Sequence, residues 1–467
     1  MMGENTFSRA LLSVGSGSLV YNISRIIVII LVARPLDVDD IGRYFIIVAI
    51  SGVVFSIASF GTNVTIVKSV AEENDVENKK RVLYTSINFY FISLLLCVVV
   101  GWFVNSLLGF EKLEPVHFMF VVSAALFQYL AYALQATKKY KELSLSYVIS
   151  GILYVSLAFM FVVMFDYGIK GLFFSVALAN LIPAIFQYLV ITKDSDVNQV
   201  LCIDKAELNA LLKFSFPLYI NQLYTNLYDR GYTLLLAFLL NPAAVAYYSI
   251  ATRIPIAIEE VRKVYLSVFY PTIVSTITDN KETAIRYIST SVHTFYILML
   301  LFSAVFLVFK VEVTTLVFGD KYEIVSMAVF LLIARSAFTF CGPVLGMSII
   351  ALGHNKVPLY INLLVTTTTF SASYFLIPVY GYMAVVCIAV LGSMIGFYMN
   401  YVYLKIKYKN LDLKYINSIL VLFSLYSYTY VYLHNIEAFV FSVGLFLLSL
   451  LIIKRQIPGL KELMGSK

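Results

Sequence analysis

Charge is scarce in this chain. Of its 467 residues only 13% are Asp, Glu, Lys or Arg, against about 25% in ordinary soluble domains, and mean hydropathy is +0.86. That excludes a water-soluble globular protein. The four cysteines (Cys97, Cys202, Cys341 and Cys387) show no metal-ligand spacing and no disulfide framework, so they read as small packing residues. Four histidines (His117, His293, His354 and His434) are equally scattered, none paired at metal spacing. No Walker A sequence, GxSxG elbow or acidic sugar-donor loop occurs, so an enzyme is not expected, and no cofactor or metal with it. The opening MMGENTFSRALLSVGSG has one Arg and no small-residue cleavage site, so no removable signal peptide is expected.

What is present is apolar length. Fourteen stretches can each cross a bilayer, which takes about 20 mostly apolar residues because every backbone amide in hydrocarbon must be satisfied within its own segment. They cover 10–33, 41–67, 82–108, 116–137, 143–165, 172–192, 214–240, 245–277, 287–309, 324–352, 357–377, 383–404, 416–433 and 437–453. The expected fold is an all-α polytopic membrane protein. Its aromatics, 35 Tyr, 36 Phe and one Trp, suit interface belts and helix packing.

The net charge of +7 raises the question of nucleic acid, and its distribution answers it. Sorted by alternate loops, 22 Lys and Arg fall on one side, 6 on the other and 6 within spans. By the positive-inside bias the rich side is cytoplasmic, placing both termini there, and the basic excess marks orientation in the cell membrane. No nucleic-acid partner is expected; the bilayer is.

The longest hydrophilic connection, 193–213, separates a lobe of six spans (1–192) from a second lobe of six (214–404), with two further spans and a tail in 405–467. Leu208, Leu211 and Leu212 at helical spacing predict a short amphipathic helix within that linker. The halves echo each other: Arg25 and Arg230 hold similar places in spans 1 and 7, and YGIKG at 167 parallels YGYMA at 380. An even number of spans in each half makes these parallel repeats, related by an axis along the membrane normal.

A charge at the centre of a span costs roughly 3 kcal/mol on insertion scales, so it calls for a partner, a wet cavity or a function. Four arginines qualify: Arg25, Arg230, Arg253 and Arg335. At 1.5 Å per residue they lie roughly 12 to 17 Å below the outer surface, near the middle of a core about 30 Å thick. Ser18, Tyr21 and Asn22 share a face with Arg25; Gln222, Asn226, Asp229 and Thr233 form a comparable stripe with Arg230. A guanidinium cannot be neutralised by deprotonation and forks onto phosphate or carboxylate, so a cationic belt that captures an anion is one reading. Internal pairing with Asp229, Glu259 or Glu260 is the other. Pro255 and Pro271 predict a bent eighth helix, on which Glu259 pairs with Arg262 or Lys263, either in a cavity or at the inner rim. Facing a cavity, Asp229, Glu259 or Glu260 would bind a coupling H⁺ or Na⁺.

Three segments then carry a resemblance. RPLDVDDIGRYFIIVAISGVVFSIASFGTNVTIVKSVAEE (34–73), LLKFSFPLYINQLYTNLYDRGYTLLLAFLLNPAAVAYYSIATRI (211–254) and FGDKYEIVSMAVFLLIARSAFTF (318–340) resemble, in order and spacing, the polysaccharide or O-antigen flippases. That family is grouped with multidrug and toxin extrusion transporters and lipid II flippases. The resemblance implies two six-helix lobes in a V, plus two C-terminal helices as in the lipid II branch. It also implies a polyprenyl-diphosphate-linked oligosaccharide moved to the outer leaflet by alternating access, with other glycan assembly proteins as partners. The four arginines would meet the diphosphate and some tyrosines the sugar rings. Two alternatives stay open. One is a cation-coupled drug antiporter, which should carry an acidic cavity; the other is a non-transporting subunit of a glycan assembly complex.

Overall fold

Ten described helices are long and apolar enough to cross a bilayer, and the chain is a multi-pass membrane protein. The computed structural model describes residues 4–108, 114–193, 200, 203–354 and 356–408, with side chains except those of 4–13, 104–108, 221 and 227–229. The expected spans 416–433 and 437–453 lie outside the described residues, as does Cys202.

In the first half α1 is Glu4–Ala33, α2 Val38–Ser59, α3 Thr62–Glu72, α4 Val76–Leu108, α5 Pro115–Ala136, α6 Tyr140–Ala158 and α7 Gly168–Thr192. Then follow α8 Lys205–Leu239, α9 Pro242–Ala251, α10 Arg253–Asp279, α11 Lys281–Val308, α12 Lys310–Phe318, α13 Ser326–Ala351, α14 Lys356–Tyr380 and α15 Tyr382–Lys407. The expected second span divides where Phe60 (φ 48°) and Gly61 (φ 75°) both take left-handed backbone, a conformation that ends α2 and starts α3.

Two expectations need correcting. The amphipathic segment at Leu208, Leu211 and Leu212 is no separate helix. Asp204 caps the helix through the amides of Ala206 and Glu207, and nothing breaks it from there to Leu239. The eighth span does bend, but at Thr252 between α9 and α10; Pro255 sits in the first turn of α10, where a missing N–H costs nothing. α10, which carries Arg253, Glu259, Glu260, Arg262 and Lys263 in its first half, is not among the ten, and within α8 the stretch Arg230–Leu239 is apolar.

The chain forms two compact units, Met1–Ala246 and Tyr247–Lys467. In the first, Phe55, Tyr84, Tyr90, Phe127 and Tyr129 centre the core, with the Tyr90 and Tyr129 rings stacked at 3.8 Å. Buried hydroxyls there find partners: Tyr129 meets Ser86 at 2.7 Å and Thr62 at 3.0 Å. The second unit packs Phe269, Tyr296, Phe338 and Phe397 around Cys341, whose thiol is 3.4 Å from the Val292 carbonyl.

Candidate functional site

The first unit brings together two of the four expected arginines. Arg25 on α1 lies over the Tyr21 ring, 4.3 Å from its centroid, and donates to the Tyr21 hydroxyl one turn earlier. The ring is wedged between Phe127 of α5 and Tyr147 of α6, with centroids at 5.6 and 5.4 Å. Tyr44 and Tyr154, whose hydroxyls are 2.8 Å apart, also stand within electrostatic reach of Arg25. Arg230 on α8 acts on the same Tyr21. Tyr21 is therefore within electrostatic range of both guanidiniums, and Tyr44, Tyr147 and Tyr154 stand within that of Arg25. Ser18 and Asn22 are half-buried on α1, as is Thr233 on α8.

Arg230 is placed by the packing of α8 against α2 and α3, which run antiparallel in a constant register. Gly42 meets Pro242, Gly52 meets Arg230, and Asn226 donates to the Ser56 hydroxyl at 2.6 Å. Further along, the rings of Phe60 and Tyr219 stack at 4.5 Å and the hydroxyls of Thr65 and Ser215 lie 2.7 Å apart. The glycines make this approach possible. A Cβ on Gly42 would fall on the Pro242 carbonyl, and one on Gly52 on the Arg230 guanidinium. With that space free the guanidinium rests on α2 and Arg230 Nη1 donates to the Val48 carbonyl. Gln222, on the same stripe, has its Oε1 buried with no hydrogen-bond partner among the described residues. Sequence periodicity found this stripe but not what lies opposite it.

Arg253 and Arg335 belong to the second unit. Arg253 donates from Nε to Ser249 O one turn back, at 3.1 Å. Arg335 reaches from α13 to the Ser393 hydroxyl of α15 at 2.8 Å. On α10, Glu260 pairs with Lys263 at 2.7 Å and Glu259 with Arg262 at 4.0 Å, both at i+3. The Asp229 side chain lies outside the described residues.

Arg262 has a further bond that its sequence neighbourhood did not reveal. Its Nη1 donates at 2.7 Å to the carbonyl of Thr339 on α13. In a regular helix that carbonyl would receive the N–H of residue 343, but residue 343 is proline and has none. Pro343 was the available signal; only the fold names the donor.

Similarity to known proteins bears on what such a site serves. A family model described as "Polysaccharide biosynthesis protein" matches residues 9–277, more than half of the chain. The chain belongs to this polysaccharide biosynthesis family. A protein of Escherichia coli (strain K12) named "Putative O-antigen transporter" is 24% identical over 252 residues, 53% of this chain and 60% of that protein's length. Among solved structures, the lipid II flippase MurJ in an inward closed conformation aligns with TM-score 0.72 at 15% identity, covering 95% of this chain and 99% of that one. An inward-facing multidrug resistance MATE transporter aligns with TM-score 0.66 at 14% identity, covering 84% and 95%. At these identities the likeness establishes the fold, which is that of the MurJ and MATE transporters.

Proposed function

We propose that this chain moves a polyprenyl-diphosphate-linked oligosaccharide from the cytoplasmic to the outer leaflet of the cell membrane by alternating access. The observation that carries the reading is Arg25 on the Tyr21 ring with Arg230 within electrostatic range of the same tyrosine, both at mid-membrane depth by sequence, in a chain of the polysaccharide biosynthesis family. A diphosphate needs two or more fixed positive charges with forked donors, and the surrounding tyrosine rings offer faces for sugars. Arg253 and Arg335 serve as further cations on the path of the headgroup. The lobes are 1–192 and 214–404 and the termini are cytoplasmic, so the substrate is loaded from the side where it is assembled, next to the other glycan assembly proteins.

Return of the empty carrier is coupled to H⁺ or Na⁺ through Asp229, Glu259 or Glu260. For Glu259 and Glu260 this requires giving up the pairs with Arg262 and Lys263. The test is accumulation of lipid-linked oligosaccharide on the cytoplasmic leaflet in cells lacking the protein, with wild type, Arg25→Ala or Arg230→Ala returned at equal expression. Relief by wild type alone is expected. Relief by all three removes the arginines from the path, and no relief by wild type, with proton-coupled drug efflux instead, establishes the antiporter reading.

A further inference from the structure

The seam between α2 and α8 contains a bond that its acceptor does not need. Within the regular α2 helix the Val48 carbonyl already receives the Gly52 N–H, and the Ser51 hydroxyl donates to it at 2.8 Å. A carbonyl has two lone pairs, so the Arg230 guanidinium arrives as a third donor. Such a bond is readily exchanged. A guanidinium bonds an anionic oxygen roughly twice as strongly as a neutral one, and a phosphate offers it forked contacts where the Val48 carbonyl offers one shared acceptor.

We propose that Arg230 is an exchangeable latch: it fastens α8 to α2 through Val48 when no anion is bound, and a lipid-linked diphosphate takes it over and holds the seam parted. Gly52 is the positioning residue, because only the absence of a Cβ there lets the guanidinium lie on α2. This rests on the flippase reading and deepens it, giving the diphosphate a second task besides being held. That reading divides the lobes at 193–213, so α8, although it packs within the first compact unit, moves with the second lobe and the seam parts at some stage of transport. A ligand that binds the parted state better shifts the population toward it, with no other driving force required.

The experiment uses the full chain in liposomes, its four native cysteines replaced by serine and a reporter pair, Thr65→Cys with Ser215→Cys, placed where the hydroxyls stand 2.7 Å apart. Disulfide formation under mild oxidation reads seam closure. A polyprenyl diphosphate, the matching polyprenol and inorganic pyrophosphate are the probes, and binding of the first is measured on the same vesicles. The cross-linked fraction is expected to fall severalfold with polyprenyl diphosphate and stay constant with polyprenol. Arg230→Gln should cross-link less without ligand and not respond to it. Gly52→Ala keeps the arginine but displaces it, and should lose the response in the same way. If Arg230→Gln fails to insert, Arg230→Lys keeps the charge without the fork and should respond less than wild type.

Polyprenyl diphosphate that binds without changing the wild-type cross-link, or a full response in the Arg230 or Gly52 variants, overturns the latch and leaves the flippase reading standing. A response to pyrophosphate as large as that to the lipid overturns the assignment to a lipid headgroup. Absence of any binding removes the anion site itself, and the latch with it.

Discussion

Each unit ties two of its helices together with an arginine on a helix carbonyl, and the two bonds are unlike in what they leave behind when broken. In the second unit Arg262 serves Thr339, whose helical donor Pro343 removes. In the first unit Arg230 serves Val48, which keeps the Gly52 N–H and the Ser51 hydroxyl. The donor chemistry is the same, so the acceptor decides the role. Arg262 completes a broken hydrogen-bond ladder and is committed to it. Arg230 adds to a complete one and can be spared for a ligand.

The largest expected effect tests the committed bond. Arg262→Met leaves the Thr339 carbonyl without a donor and Glu259 without its cation, which should destabilise the protein by about 1–3 kcal/mol, seen as a lower Tm in detergent. Pro343→Ala restores an N–H to that carbonyl. In its background the cost of Arg262→Met should shrink, and a double-mutant cycle that proves additive would show that proline and arginine are not partners.

Next in size come two glycines with opposite surroundings. A Cβ at Gly52 meets the Arg230 guanidinium, so Gly52→Ala should cost about 1–3 kcal/mol as overpacking and abolish transport although the arginine remains. At Gly346 on α13 the nearest atom to an added Cβ is 3.9 Å away, on Pro358. There alanine should be neutral or gain up to about 1 kcal/mol from helix propensity. Equal losses at both sites, by Tm and leaflet assay, would deny Gly52 any special place.

How much of this was legible beforehand follows from the reach of each signal. Apolar length is a local property, so spans such as 116–137 match their helices to within a few residues. Pairing at i+3 on one helix is also local, and Glu259 with Arg262 followed from spacing alone. The break at Thr252 was displaced from the prolines because Pro255 is harmless in a first turn. Contacts across helices had no local trace: Gly52 and Arg230 are far apart in the chain, and neither residue type announces the other. The stripe Gln222, Asn226 and Arg230 was found by period, yet period cannot tell a wet wall from a helix seam.

A smaller effect is expected from Arg230→Gln on stability alone. Because Val48 stays satisfied, the change in Tm should correspond to less than about 1 kcal/mol, while the leaflet assay shows transport lost. A destabilisation matching that of Arg262→Met would mean that the two bonds do not differ and that the contrast between the units fails.

The smallest effect lies at the entrance to the seam, where Glu207 stands in the first turn of α8, outside the expected span. Burial first, then the carboxylates of Asp204 and Glu73, push its carboxyl above the usual carboxylate value, with Arg81 pulling the other way. An acid whose pKa is raised by folding binds protons more readily in the folded state, so its contribution to stability is complete below the unfolded value and is lost as pH rises through the folded one. The start of α8, fastened by Arg81 to Asp204 at 3.9 Å and by the Asp204 N–H to Thr85 Oγ1 at 3.1 Å, should therefore hold slightly better in mild acid than at neutrality. Glu207→Gln takes away the charge that causes this, so it should raise Tm a little at neutral pH and flatten its rise on acidification. Added salt should shrink the carboxylate part of the wild-type difference, since Asp204 and Glu73 are partly exposed. A Tm profile that keeps its slope in Glu207→Gln would place the titration elsewhere and leave the seam entrance indifferent to pH.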